Sequence, residues 1–419
     1  MRVLLVNTSE HTGGASVAAG RLLDALNGNG VKAKMLVTRK TSDRPTVVGL
    51  PAAWRYQASF YAERLAIWTL NGFRRDHLFD VDPAWTGVDI TRLPEFREAD
   101  VIHLHWINQG MLSLGSVRRI LHTGKPVVWT LHDMWPFTGV CHYARECKKW
   151  LTGCHHCELL LHGGGTHDMS ATTFRRKATT YAGARLSFVA CSHWLAGLAA
   201  ASPLTAGHDV ASIPNPICTR RFRPGDKTAL RRRLGLPVDR KLILFVAYKV
   251  TSPLKGVGYL CEALGRLAAS HPEVRDNWQL VAVGREADSL AGRVPVPVTA
   301  VDYVSTEAGM MDYYRAADVL AMPSLHDNLP NTIAEAMACG MPCVGFDVGG
   351  LPQMIDHRQN GYLAAYRDSE DFARGLLDTL HPVHYAERQA AARRKAEHTY
   401  SESAVAGAYI DVYEKLLNT

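Results

Sequence analysis

No apolar run in this chain reaches the roughly 18 residues that a helix needs to cross a membrane, so no spanning helix is expected. The opening stretch, MRVLLVNTSEHTGG, lacks a cleavage pattern and soon turns polar, so it reads as a first strand and not a signal peptide. A complete GxGxxG is absent, which leaves a nicotinamide- or flavin-dependent dehydrogenase little support. Internal repeats and low-complexity segments are also missing, which excludes solenoids and disordered scaffolds. What is present is a chain of 419 residues, 47% hydrophobic, long enough for large cores and for two domains. Its formal charge of +7 suits nucleic acid, anionic lipid or phosphorylated substrates and chooses none of them.

Strand and helix patterns alternate along the chain. Arg2–Asn7, Ala33–Thr38, Val101–His105, Pro126–Leu131 and Ser187–Ala190 read as short β-rich runs. The amphipathic stretch Ala15–Leu26 lies between the first two and ends at Gly28-Asn29-Gly30. The second half repeats the pattern with Leu242–Ala247, Gln279–Val283, Val298–Val301, Val319–Met322 and Pro342–Phe346. Such alternation predicts an α/β protein with parallel sheets covered by helices on both faces. Between the halves, Ile213-Pro-Asn-Pro-Ile217 and the polar run Arg220–Lys227 form the best linker candidate. A final helix is expected over Ala404–Leu417.

The most informative stretch is Pro323–Gly350, PSLHDNLPNTIAEAMACGMPCVGFDVGG. Asp318–Met322 before it reads as a buried strand, and Thr332–Cys339 as a helix ending at Gly340. Asp327 then sits on the loop after a strand, and Glu335, eight residues on, about one turn into the helix. Between them, Asn328-Leu329-Pro330-Asn331 offers backbone N–H groups at a helix N-terminus, where anions are stabilised. Carboxylates are poor phosphate partners but good acceptors for sugar hydroxyls. A nucleotide sugar has hydroxyls at both ends and a diphosphate in the middle, and it suits this pattern.

The segment resembles the acidic-x7-acidic motif of retaining GT-B glycosyltransferases of family 4, the group 1 glycosyl transferases. That resemblance implies two Rossmann-like domains whose parallel sheets face an interdomain cleft holding the active site. It divides the chain into an acceptor-side domain, 1–212, with a Cys-rich insertion at 138–160, then a linker at 213–227. A nucleotide-sugar-binding domain follows at 228–399, and the helix 400–419 packs back on the first domain. In the family the second carboxylate, here Glu335, binds the ribose hydroxyls. The first carboxylate holds the transferred sugar; it is usually Glu, and here it is Asp327, one methylene shorter.

The resemblance gives roles to further residues. Gly13-Gly14 follows the first strand and opens the first helix, a loop that faces the donor phosphates and the acceptor. Lys255 precedes Gly256 and the helix Val257–Ala269, and a cation there stabilises the departing nucleoside diphosphate. The family usually has an Arg shortly upstream. This strand instead ends Ala247-Tyr248-Lys249, so Lys249 is the replacement candidate, without the bidentate fork of arginine. His132, at the end of the Pro126–Leu131 strand, is placed near the transferred sugar. His103 and His105 read by default as core or cleft wall. Tyr303 and Val304 are weaker candidates for the nucleotide base. Asp80-Val-Asp82 spells the DxD of metal-dependent glycosyltransferases of another fold, but it precedes a proline and lacks the supporting strand, so chance accounts for it.

Four of the nine cysteines, Cys141, Cys147, Cys154 and Cys157, fall within seventeen residues. In a reducing cytosol such clustering is better explained by structural zinc than by disulfides, with free thiols as the plainer alternative. The closing CxxC is a usual half-site, though a second one is lacking; His142, His155 or His156 offers a substitute ligand. A similar Cys-rich insertion belongs to a subgroup resembling capsular and exopolysaccharide synthesis enzymes. The segment Trp54–Phe79 mixes aromatics with Arg55, Arg64, Arg74 and Arg75. It reads as a surface for nucleic acid or for an anionic membrane, or equally well as a helix with its rings inward and its arginines outward.

The leading expectation is a cytoplasmic enzyme, with peripheral contact at the inner face of the membrane as an option. It moves a sugar from a UDP- or GDP-linked donor to a saccharide or lipid-linked saccharide acceptor and has no catalytic cofactor and no nucleic-acid partner. A GT-B nucleotide-sugar epimerase is the alternative within enzymes. A zinc-stabilised glycan- or nucleic-acid-binding protein without turnover is the alternative outside them.

Overall fold

The structure, a computed structural model, describes residues 1–418. By contact density the chain divides into two units, Met1–Pro216 with Val405–Thr419, and Ile217–Ala404.

The first unit is built on a seven-stranded parallel sheet in the order β3-β2-β1-β4-β5-β6-β7. Its strands are β1 Arg2–Val6, β2 Lys32–Val37, β3 Val47–Gly49, β4 Val101–Leu104, β5 Val127–Leu131, β6 Leu186–Ala190 and β7 Val210–Ser212. β1 is buried on both faces, and its residues alternate between two apolar layers. Leu4 and Val6 join one layer with Trp129, Trp135 and Phe188. Val3 and Leu5 join the other with Leu22, Leu26, Tyr409 and Tyr413. That second layer brings the terminal helix, Glu402–Asn418, into the first unit's core. Period-two alternation with both faces apolar is what a covered parallel sheet requires.

The second unit has a six-stranded parallel sheet in the order β10-β9-β8-β11-β12-β13. Here β8 is Lys241–Lys249, β9 Trp278–Arg285, β10 Val298–Val301, β11 Val319–Met322, β12 Cys343–Phe346 and β13 Gly361–Ala364. Ile243, Phe245, Leu264, Leu280 and Phe346 are among its fully buried core residues. The first strand of each sheet is central, so strand order reverses beside it, between β1 and β4 and between β8 and β11. At such switch points the loops leaving the strands' carboxyl ends diverge and leave a crevice.

The expected helices and strands are present, with ends shifted by a residue or two: the first helix runs Gly14–Gly28 and the helix after Asp327 runs Asn331–Ala338. Three short strands, β3, β7 and β13, were not read from the sequence. Among the described residues no helix is long and apolar enough to cross a membrane.

Candidate active site

The second unit's switch point joins the two motifs that the sequence singled out. Lys255 lies on the loop after β8 and Asp327 on the loop after β11, and Lys255 Nζ donates to Asp327 Oδ2 at 2.7 Å. Two glycines let these loops close up. Gly256 has φ 64°, and a side chain there would run into the carbonyl of Pro323. Gly349 has φ 60°, and a side chain there would run into the carbonyl of Asp327. The left-handed backbone and the close approach both demand glycine. Backbone bonds from Leu325 to the Leu254 carbonyl, 2.9 Å, and from Gly350 to the Asp327 carbonyl, 3.2 Å, complete the frame.

Asn328, Leu329 and Pro330 are buried between Asp327 and the helix, and Pro330 caps that helix, which starts at Asn331. Glu335 is buried on its second turn, and its Oε2 accepts a hydrogen bond of 2.6 Å from the hydroxyl of Tyr314. Tyr314 is 1% exposed on the helix Glu307–Ala316, which leads into β11. Sequence reading missed this partner. Periodicity identifies Tyr314 as a core residue, but only tertiary packing brings it to a carboxylate 21 residues further on.

Lys249 pairs with Glu286 at 2.8 Å, and both side chains are about half exposed. Glu286 also accepts from the Thr251 hydroxyl. The proposed stand-in for the family's arginine is thus held beside β9, while Lys255 carries the contact to Asp327. Tyr303, 51% exposed, lies edge-on to Tyr248 with ring centroids 5.4 Å apart, and Val304 is half-buried beside it.

In the first unit, Gly13 caps the first helix with φ 90°, and Gly13-Gly14 is solvent-exposed. The loop is anchored through Glu10, which accepts from Thr41 N at 2.6 Å and Ser42 N at 3.1 Å as well as from both hydroxyls. Burial opposes its charge, but these bonds prevail and bring its carboxyl down to about 2.

His132 is half-buried at the end of β5, with Nε2 3.0 Å from His105 Nδ1 and Nδ1 3.6 Å from the Cys191 thiol. Behind it, His103 lies 2.7 Å from the Tyr413 hydroxyl and 2.7 Å from Thr130 Oγ1, which in turn lies 2.8 Å from the Tyr409 hydroxyl. Burial depresses all three imidazoles, His103 to about 3 and His132 to about 4, with His105 also well below its usual value. They are neutral near pH 7 and act as hydrogen-bonding groups, not as cations.

Asp82 of the DxD is fully buried, and its carboxylate accepts from Gln109 N at 2.7 Å and Ala84 N at 2.9 Å. That consumes it within the fold. Cys141, Cys147, Cys154 and Cys157 are free, half-buried thiols. Among the described residues no group of three or more His, Cys, Asp or Glu side chains is placed to hold a metal ion. The zinc expectation therefore gains no geometric support. At the start of the insertion, the buried Lys177 amine donates to the carbonyls of Trp135 and Thr138 and stands 3.5 Å from the centre of the Trp135 ring, and burial brings its pKa down to about 7.

Residues 240–381 match the family model of glycosyl transferases group 1. A curated relative, D-inositol 3-phosphate glycosyltransferase 2 of Catenulispora acidiphila, is 35% identical over 223 residues, which is 49% of this chain and 50% of the relative. The chain thus spans about half the length of the curated relatives it matches. Among solved structures, sucrose-phosphate synthase from Thermosynechococcus elongatus aligns over 100% of this chain and 99% of its own, with TM-score 0.70 and 17% identity. Anabaena HepE in complex with UDP-glucose aligns over 99% of this chain and 100% of its own, with TM-score 0.63 and 15% identity. Likeness at these identities speaks for the fold alone. Residues 240–381 are thus similar to the group 1 glycosyl transferases, and the chain as a whole has a GT-B fold.

Proposed function

We propose that this protein is a retaining glycosyltransferase that moves a sugar, most simply a hexose, from a UDP- or GDP-linked donor to a saccharide or lipid-linked saccharide acceptor. The observation that carries the reading is the Lys255–Asp327 pair across the β8/β11 switch point, with buried Glu335 eight residues beyond it. Without donor, the carboxylate neutralises the ammonium. In our reading the donor's diphosphate takes over Lys255, and Asp327 is released to accept from hydroxyls of the transferred sugar. Leaving-group charge grows as the glycosidic bond to the diphosphate breaks, so Lys255 and the N–H groups of Asn328, Leu329 and Asn331 stabilise the transition state more than the bound donor. Glu335 takes the ribose hydroxyls. Gly13-Gly14 and His132 are assigned to the donor phosphates and the transferred sugar by the family resemblance, and the depressed His132 fits a neutral hydrogen-bonding role.

The relatives named D-inositol 3-phosphate glycosyltransferase support the reaction class and leave this chain's acceptor open. We place the enzyme in the cytoplasm, in the synthesis of cell-surface polysaccharide or glycoconjugate. Structural zinc on Cys141, Cys147, Cys154 and Cys157 is retained as a proposal on donor chemistry alone. The direct test of the donor site is calorimetry. Glu335→Ala should weaken nucleotide-sugar binding by about 1.5–3 kcal/mol, the worth of hydrogen bonds to a carboxylate. An unchanged affinity removes Glu335 from the site.

A further inference from the structure

The helix Ala53–Leu70 buries two charged side chains and leaves a stripe of large apolar ones in solvent. Its buried residues are Glu63, Arg64 and Ile67. Ile67 is buried and Tyr56, Phe60 and Trp68 are half-buried, but four other large apolar side chains point outward: Trp54 is 66% exposed, Tyr61 69%, Leu65 57% and Leu70 56%. Trp54, Ala58, Tyr61 and Leu65 follow the i, i+4, i+7, i+11 spacing of one helical stripe, about 16 Å long. Phe73 and Phe79, in the segment that follows, are also 65% and 56% exposed, and the Phe73 ring lies edge-on to Trp68 with centroids 4.9 Å apart. The expectation that the rings pack inward and the arginines face out holds for Arg55, Arg74 and Arg75, which are exposed, and is corrected at Arg64, which is buried, and at Trp54, Tyr61, Phe73 and Phe79, which face out.

This exposure has a structural cause. Glu63 accepts from Trp85 N at 2.9 Å, while Arg64 reaches Glu63 at 3.2 Å and Asp82 at 3.4 Å, as well as the carbonyls of Leu78 and Val81. The polar residues are consumed by the 78–85 loop, and that fixes which face is left outside. A lone exposed Leu or Trp is ordinary, but a continuous stripe of this size marks a surface that is covered in use.

Charge selects the occupant. Arg55, Arg74 and Arg75 are exposed around the stripe, and the Arg55 guanidinium lies 5.4 Å from the centre of the Trp54 ring. Against these three cations the segment exposes Asp76 and Asp80, and Asp80 is already paired with His77 at 2.7 Å and Arg145 at 3.9 Å. Aromatic and leucine side chains on a helix flanked by arginines are the chemistry of a bilayer interface, with rings at headgroup depth and guanidiniums on lipid phosphate.

We propose that Ala53–Leu70 and the segment through Phe79 dock this protein on an anionic lipid surface. The docking is independent of turnover and deepens the proposed function by bringing a lipid-linked acceptor within the enzyme's reach.

The test is co-sedimentation of the full chain with phosphatidylglycerol vesicles and with phosphatidylcholine vesicles. Binding should favour phosphatidylglycerol and weaken with salt. Trp54→Ser/Leu65→Ser should bind at least about tenfold more weakly, as expected from the apolar area removed. Arg55→Gln/Arg74→Gln/Arg75→Gln should abolish the lipid preference, and this variant carries the test if the first one melts at a lower temperature. Failure to bind either vesicle, or undiminished binding by both variants, overturns the proposal. So does a concentration-dependent dimer that Trp54→Ser/Leu65→Ser breaks, which would assign the stripe to a second copy. None of these readings uses donor or acceptor, so they stand or fall separately from the transferase assignment.

Discussion

The Tyr314 hydroxyl donates to Glu335 Oε2 at 2.6 Å inside the second unit, with both side chains buried. A buried carboxylate needs donors to stay in one position, and a phenol on a neighbouring helix supplies one without adding charge. If Glu335 receives ribose hydroxyls, Tyr314 fixes the oxygen that meets them. Tyr314→Phe keeps the ring and removes the bond. Donor affinity should fall about tenfold with kcat nearly unchanged, since a positioning bond of this kind is worth about 1.4 kcal/mol. Unchanged KM and Kd would reduce Tyr314 to a packing residue.

Lys255 is expected to act on the leaving group. Lys255→Ala should lower turnover roughly 10²–10³-fold, by analogy with removal of one transition-state donor. Transfer should also persist in a chelator, because protein cations and helix ends carry the charge. Activity that vanishes with EDTA and returns with magnesium or manganese would contradict this assignment.

The three depressed imidazoles make stability depend on pH. His103, His105 and His132 stay neutral when folded but protonate in the unfolded chain below about 6.5, so there the unfolded state binds more protons. Stability should therefore fall as pH drops from 6.5 towards 4, by up to roughly 1.4 kcal/mol per pH unit for each histidine. His142 has the opposite sign. Burial disfavours its charge, but the Asp133 carboxylate 2.7 Å away prevails and raises it, so its contribution is complete below 6.5 and is lost as pH rises through the raised value. Urea midpoints measured from pH 4 to 8 test this. A flat acid limb would refute the buried neutral cluster.

The cysteine-rich insertion is tested by elemental analysis of untagged protein. With zinc bound, about one equivalent is expected, and Cys154→Ser should release it and loosen the segment, since zinc binding energy becomes folding energy. Less than about a tenth of an equivalent, with all four thiols titratable in the folded protein, defeats the zinc proposal.

Much of the fold was legible because both sheets are buried on two faces and their strands read as unbroken apolar runs. β3 and β7 escaped for the opposite reason: they have three residues each, and β7 is half-exposed throughout; β13 is buried but opens on a glycine, which breaks its apolar run. Asp327, Glu335 and Lys255 stood out because motif spacing survives without tertiary information. The Tyr314–Glu335 bond and the outward stripe of the helix Ala53–Leu70 did not. In both, a polar side chain is satisfied by a residue many positions away, and periodicity does not encode that partner. The aromatics near Trp54 were noticed, but their direction depends on Asp82 and the 78–85 backbone claiming Glu63 and Arg64.

The central claim is nucleotide-sugar transfer, and its most direct measurement is release of nucleoside diphosphate from a panel of UDP- and GDP-sugars, with and without acceptor glycans. Acceptor-dependent release from at least one donor, with the donor's anomeric configuration kept in the product, is the predicted result. Release that never depends on an acceptor and yields a free epimerised sugar, or no binding and no release with any donor, would contradict it.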